Sequence, residues 1–185
     1  PRPVPDGSDE MGWEELNDGV IVAGQTNGAP SWFPCNDRPD NKAGYRIEVT
    51  SPSAYYVVAN GTLASSYRRA SSTTWVYDLP EPMATYLATV HIGRYVTRDM
   101  SASTVPISVV LPQRLVDRCD LAFGRQAEMM DFFVDRFGPY PFGEYTVVVT
   151  DEALEIPLEA QGISAFGSNL LTDDWDALRL VAHEL

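Results

Sequence analysis

The sequence predicts an α+β fold in two successive parts, an antiparallel β-rich part followed by one that mixes helices and strands. Up to about Val96, short β-prone runs alternate with turn residues such as Asn60-Gly61. Between residues 113 and 137, apolar side chains recur at spacings of four and three, which is typical of an amphipathic helix. A valine-rich run at 145–150 then predicts a buried strand.

The first part is predicted as an antiparallel β region. The β-prone runs are 20–23, 45–50, 55–59, 74–77 and 86–95. Tyr45, Ile47 and Val49 alternate with polar residues, so one face of that strand should be buried. A polar stretch near residue 100 marks the expected boundary, with domains at 1–102 and 103–185.

The second part should contain a helix at 113–137, which Gly138-Pro139 ends. Gly124, inside this helix, weakens it by roughly 1 kcal/mol relative to alanine. After the 145–150 strand, residues 163–171 are β-prone. Thr172-Asp173-Asp174 offers side-chain acceptors for a helix start, so a helix is expected from about 174 to 185.

Composition restricts the partners. The chain has 185 residues, 13 basic and 26 acidic side chains, and a formal charge of -13. Residues 105–185 carry 14 acidic and 5 basic side chains. This excess would favour cationic ligands if the charges face a cleft, and a solvated acidic surface is the alternative explanation. Nucleic acid and anionic lipid are therefore not expected as partners, and no apolar run is long enough to span a membrane. Cys35 and Cys119 match no metal-site spacing and are interpreted as small hydrophobic residues.

The last five residues, Val181-Ala182-His183-Glu184-Leu185, match the first half of H-E-x-x-H. In that signature, two histidines four apart on a helix bind zinc, and the glutamate activates the zinc-bound water. An ordinary surface His-Glu pair is the alternative reading of so short a match.

Three segments in order resemble the gluzincin aminopeptidases of the aminopeptidase N and leukotriene hydrolase type. The first segment is 25–39, which contains a glutamine and the run Pro-Cys-Asn-Asp-Arg-Pro. The second is Phe-Gly-Pro-Tyr-Pro-Phe at 137–142, which is followed, after the next strand, by Leu-Glu-Ala-Gln-Gly at 158–162. The third is the His-Glu pair at the end of the sequence. The resemblance implies that the first domain is the later part of an N-terminal saddle domain. It implies that the second begins a thermolysin-like catalytic domain.

The same resemblance implies the site residues. Glu159 stands at the glutamate of G-A-M-E-N, which binds the free α-amine of the substrate, and Gln25 at a glutamine lining the first subsite. Ala160 replaces the asparagine and is counted as a substrate-binding position. His183 would be a zinc ligand, and Glu184 the general base. The family's proposed partners are peptides with a free N-terminus.

The sequence also departs from the family pattern, because Ile156 and Pro157 replace the glycine and alanine of G-A-M-E-N. Proline removes a backbone donor, which puts fine substrate preference in question. Both chain ends look like cuts, so zinc belongs to a longer parent enzyme and this chain is expected to be inactive, without stably bound zinc. A cytoplasmic location is favoured, although a lost signal segment stays open. Two rivals are a non-catalytic, peptidase-like interaction module and an unrelated β-sandwich binding module with accidental motif matches.

Overall fold

The computed structural model describes residues 12–100 and 103–185. The chain folds as two compact units, the first ending at Gly93 and the second beginning at Arg94. This division between the units lies several residues before the expected domain boundary at 102/103. Residues 101 and 102, next to the expected boundary, are outside the described part of the chain. The reason is a strand at Tyr95–Asp99 that pairs with Ile107–Pro112 and therefore belongs to the second unit.

The described part of the first unit is built of antiparallel strands. They are β1 (Trp13–Leu16), β2 (Gly19–Val22), β3 (Ala43–Pro52), β4 (Tyr56–Ala59), β5 (Thr62–Arg69), β6 (Ser72–Met83) and β7 (Val90–Gly93). One sheet has the order β1-β2-β7-β4, and the other has the order β3-β6-β5. The predicted antiparallel β-rich character of this part is confirmed.

In the first unit, a strand could be predicted from the sequence only where one of its faces is buried. In β3, half-buried Tyr45, Ile47 and Val49 alternate with exposed neighbours, as expected. All eight residues of β5 are exposed, so this strand has no apolar alternation and was missed. The turn at Asn60-Gly61 is present, with Gly61 at φ +91° and the Asn60 side chain bonded to the Leu87 carbonyl and the Thr89 amide.

The second unit contains a five-stranded mixed sheet. Its strands are β8 (Tyr95–Asp99), β9 (Ile107–Pro112), β10 (Tyr145–Val149), β11 (Leu158–Ala160) and β12 (Ile163–Phe166), in the order β11-β12-β10-β9-β8. β9, β10 and β12 run parallel, while β8 and β11 are antiparallel edge strands. The central strands are buried along almost their whole length, as expected of a parallel sheet.

The helices of the second unit differ in detail from the prediction. Residues 113–137 form a 3₁₀ segment (Gln113–Arg118), α1 (Cys119–Phe123) and α2 (Gln126–Phe137) instead of one helix. The break falls at Gly124, where an added Cβ would lie 2.4 Å from the Asp120 carbonyl oxygen. Gly138, at φ +99°, ends α2 as predicted. α3 (Trp175–His183) is the predicted final helix.

One hydrophobic core holds the second unit together. It joins side chains of β9, β10 and β12 to the helices, and Phe123 meets Phe166 edge-on at a ring-centroid distance of 5.3 Å. Cys119 is fully buried in this core, and neither cysteine is in a disulfide. Within the described residues, no helix is long and apolar enough to cross a bilayer.

His91 is a buried polar group in β7 of the first unit, with 2% of its surface exposed. The Thr89 hydroxyl donates its single hydrogen to the Val22 carbonyl. Since that hydroxyl lies 2.9 Å from His91 Nε2, it must accept a hydrogen bond from Nε2–H. Among the described residues Nδ1 has no hydrogen-bond partner, so a second proton would add a buried charge without compensation. Burial lowers the pKa of His91 from 6.5 to about 4.

We predict that protonation of His91 destabilises the first unit in acid. The unfolded chain binds this proton near pH 6.5 and the folded chain only near pH 4, so the stabilisation is complete above pH 6.5. It is lost progressively as the pH falls towards about 4, by about 3 kcal/mol for a shift of this size. Urea unfolding followed by tryptophan fluorescence across this range measures it.

His91→Gln should remove this part of the pH dependence, while His183→Gln provides the control because His183 is exposed. His183 influences the titration of Glu184 in the second unit, so the comparison uses the unfolding of the first unit, where the carboxylates are the same in both variants and the difference between the two curves isolates His91. Parallel curves for H91Q and H183Q would contradict the prediction.

Candidate functional site

The helix that carries His183 has a defined start. The Asp174 carboxylate accepts a 2.9 Å hydrogen bond from the Ala177 amide, and the Thr172 hydroxyl donates to the other carboxylate oxygen at 2.6 Å. These bonds lower the pKa of Asp174, the Thr172 contribution being the largest. Ala177 and Val181, four residues apart, are the buried positions of α3. Capping and this apolar stripe therefore fix the helix against the sheet.

His183 and Glu184 lie at the end of α3 in different surroundings. His183 is exposed and is the last helical residue, whereas Glu184 is half-buried directly after it. The Glu184 amide donates to the Leu180 carbonyl at 3.1 Å. Burial raises the pKa of Glu184, His183 opposes the rise, and the Glu159 carboxylate adds to it. The three predicted side chains of the second unit therefore share one electrostatic environment.

Strand register explains why Glu159 lies near Glu184. Glu159 pairs with Ser164 across β11 and β12, and Ser164 is in register with Val147 of β10. Paired residues project from the same face of a sheet, as do residues two apart, so Tyr145 shares that face with Glu159 and Ser164. The Tyr145 hydroxyl reaches the Glu184 carbonyl at 2.9 Å, which places the end of α3 over this face.

The backbone groups of Glu159 do not pair with β12. The carbonyls of Gly162 and Phe166 both accept hydrogen bonds from β10. Because carbonyls alternate along a strand, the backbone groups of Ile163 and Ala165 must face β11, where these residues pair with Ala160 and Leu158. The amide and carbonyl of Glu159 therefore point away from β12.

The residues beside Glu159 modify the edge strand β11. Pro157, which is buried, has no backbone N–H and so offers no donor before β11 begins. Ala160 is half-buried and closes the turn to β12, and its side chain projects from the face opposite to that of Glu159. The predicted contact of Ala160 with substrate stays a prediction.

Gln25 belongs to the first unit and lies in the turn that follows β2. Its side chain is half-buried, the Gly28 amide bonds to the Gly24 carbonyl at 2.9 Å across the turn, and the peptide bond from Gln25 to Thr26 is cis. The expected role of Gln25 in the first substrate subsite stays a prediction.

The residues present do not complete a catalytic metal site. Within residues 12–100 and 103–185, no group of three or more His, Cys, Asp or Glu side chains could hold a metal ion. A catalytic zinc ion takes three protein ligands and one open position. His183 could supply one of these ligands.

A cavity of about 580 Å³ adjoins the end of α3. Its walls are mainly apolar side chains of α2 and of the turn at 138–142, and His183 is among the lining residues. Sequence analysis did not predict this cavity, nor the contact of Tyr145 with Glu184. Tyr145 was read only as the start of a strand, and nothing in the local sequence indicates a partner 39 residues away.

Comparison with known proteins agrees with this architecture. Residues 17–87 match the family described as Peptidase M1 N-terminal domain. This stretch of the chain is therefore similar to an M1 peptidase N-terminal domain. This M1 segment accounts for strands from β2 to β6 and includes Gln25 and the Pro-Cys motif at 34–35.

Curated relatives extend the M1 relationship beyond that segment. The chain is 24% identical to endoplasmic reticulum aminopeptidase 1 of Mus musculus over 145 residues, covering 77% of this chain and 16% of the relative. It is 30% identical to leucine aminopeptidase 2 of Chaetomium globosum over 165 residues, covering 85% and 26%. The chain thus spans a small part of the length of these relatives, to which its similarity is distant.

Solved M1 structures share the fold. An M1 zinc metallopeptidase from Deinococcus radiodurans superposes with a TM-score of 0.78 at 24% identity, covering 94% of this chain and 41% of that one. Aminopeptidase A of Legionella pneumophila, solved in complex with aspartic acid, gives a TM-score of 0.83 at 23% identity, covering 95% and 23%.

We predict that the Asp174 cap controls the order of the helix that presents His183. Asp174→Ala removes the acceptor for the Ala177 amide and should speed hydrogen exchange of the α3 amides roughly fivefold. Asp174→Asn keeps a capping oxygen and should exchange almost as slowly as the unmodified chain. Equal exchange in D174A and D174N would show that the cap does not hold this helix.

Proposed function

We propose that this chain is part of a zinc aminopeptidase that removes N-terminal residues from peptides. The observation that carries the proposal is the placement of Glu159 and of the end of α3, with His183 and Glu184, on the same face of the mixed sheet. The M1 relationship supports it, because the named relatives are aminopeptidases. In the longer protein, Glu184 would be the general base and His183 a zinc ligand.

Glu159 is proposed to bind the free α-amine of the substrate. Its side chain is exposed at the sheet edge, and a carboxylate pairs with an ammonium through short, charge-assisted hydrogen bonds. Related M1 structures were solved with L-arginine and with aspartic acid, both of which carry a free α-amine.

The finer assignment of the fold follows the same relationship. The first unit is proposed as part of an N-terminal saddle domain that brings Gln25 to the first subsite. The second is proposed as the beginning of a thermolysin-like catalytic domain. A cytoplasmic location is also proposed, from the sequence alone.

We predict that the chain alone binds less than one equivalent of zinc after dialysis, because His183 is the one histidine at the site and three protein ligands are needed. Metal analysis of the unmodified chain and of His183→Gln measures this. The chain should also fail to hydrolyse aminoacyl arylamides. One tightly held zinc per chain that H183Q loses would contradict the prediction.

We predict that Glu159→Gln in the protein encoded by the full reading frame weakens recognition of free amines. Loss of a charge-assisted hydrogen bond should reduce kcat/KM for aminoacyl arylamides, and competitive inhibition by free amino acids, by about 10- to 100-fold. Glu155→Gln is the matched control, since Glu155 is an exposed carboxylate of the loop that precedes β11. Both effects should be absent in E155Q.

The same experiment separates the two classes of function. Activity that a chelator removes and that E159Q impairs supports the aminopeptidase. A full-length protein that hydrolyses no aminoacyl or peptide substrate, in the presence of zinc, would instead favour the non-catalytic interaction module.

A further inference from the structure

The Tyr145 hydroxyl occupies a buried position between two other elements. Tyr145, at the start of β10, is 2% exposed, and its oxygen lies 2.6 Å from Ser164 Oγ of β12 and 2.9 Å from the Glu184 carbonyl oxygen. Ser164 is fully buried. The contacts therefore connect two sheet strands to the end of α3, away from solvent.

Hydrogen-bonding capacity determines the order of donors in this group. A carbonyl oxygen accepts and cannot donate, so the single Tyr145 hydroxyl hydrogen must point to Glu184. The Ser164 hydroxyl then donates to Tyr145 Oη. The chain of bonds runs from Ser164 through Tyr145 to the Glu184 carbonyl, and successive bonds of this kind strengthen one another in a buried setting.

We infer that Tyr145, supported by Ser164, is a positioning residue that holds the backbone of Glu184 against the sheet. The inference rests on the proposed function, in which Glu184 is the general base. Glu184 directly follows the last residue of α3, and its carbonyl accepts the Tyr145 hydrogen bond. A carbonyl has two lone pairs, so the tyrosine contact is compatible with a further helical hydrogen bond.

Register makes this contact specific to the candidate site. Ser164 pairs directly with Glu159, and Tyr145 projects from the same face of the sheet. The one hydrogen-bond chain therefore couples the strand that carries the proposed amine ligand to the residue proposed as base. A shift of Glu184 away from Tyr145 would change the spacing between the two carboxylates.

The first test uses the chain itself. Tyr145→Phe removes only the hydroxyl and should speed hydrogen exchange of amides 182–185 about five- to tenfold, with β10 and β9 unchanged. Tyr140→Phe is the control. This ring packs edge-on against Tyr145 at a ring-centroid distance of 6.3 Å, whereas the hydroxyl that reaches the Glu184 carbonyl belongs to Tyr145. Unchanged exchange at 182–185 in Y145F would overturn the inference, as would a uniform increase over the second unit.

Ser164→Ala keeps the inference testable if Tyr145→Phe fails to fold. It removes the supporting donor while leaving the bond from Tyr145 to Glu184, so exchange at 182–185 should rise by a smaller factor than in Y145F. Slower or unchanged exchange in S164A would contradict the assigned order of donors.

The second test uses the protein encoded by the full reading frame. Tyr145→Phe should lower kcat about tenfold with little change in KM and no loss of zinc, since misplacing a base affects the transition state more than substrate binding. Tyr95→Phe, on the far edge strand of the same sheet, is the control. A KM effect alone would overturn the inference. Absence of activity in the unmodified protein would reject the proposed function, while the exchange result would still report on Tyr145.

Discussion

The register of β12 between its two neighbours is the constraint on which the candidate site depends. β12 runs parallel to β10 and antiparallel to β11, so one residue, Ser164, is paired with Val147 on one side and Glu159 on the other. A slip of one residue would send Glu159 to the opposite face, because side chains alternate along a strand. The buried residues of β10 and β12 oppose such a slip, since it would exchange the side chains that are packed on the two faces of the sheet.

Electrostatics at the end of α3 results from competing effects of moderate size. Burial raises the pKa of Glu184, and the neighbouring Glu159 carboxylate acts in the same direction, while His183 acts against both. A carboxyl group that is desolvated and has a like charge nearby is a better proton acceptor than one in water. An environment of this kind is common at functional sites and also occurs in purely structural clusters. The geometry of Glu159 and the M1 relationship favour the functional interpretation here.

How much the sequence could predict depended on whether each signal was local. The α3 cap, the end of α2 at Gly138 and the buried face of β3 were predicted because the residues that cause them are neighbours in sequence. β5 was missed because every residue of it is exposed, and the helix at 113–137 was drawn too long because Gly124 interrupts it. For the candidate site, motif resemblance proposed Glu159, His183 and Glu184, and these assignments remain predictions. It could not identify Tyr145, whose partner is set by tertiary packing.

The length of β11 and the residue before it limit how far this edge strand can pair with another chain. An exposed edge with many free amides and carbonyls invites association with another strand. β11 has only three residues, and Pro157 immediately before it lacks an N–H, so few backbone groups are available for such pairing. Proline at position 157, where the family pattern has alanine, therefore protects the edge that carries Glu159 by removing a backbone donor from it.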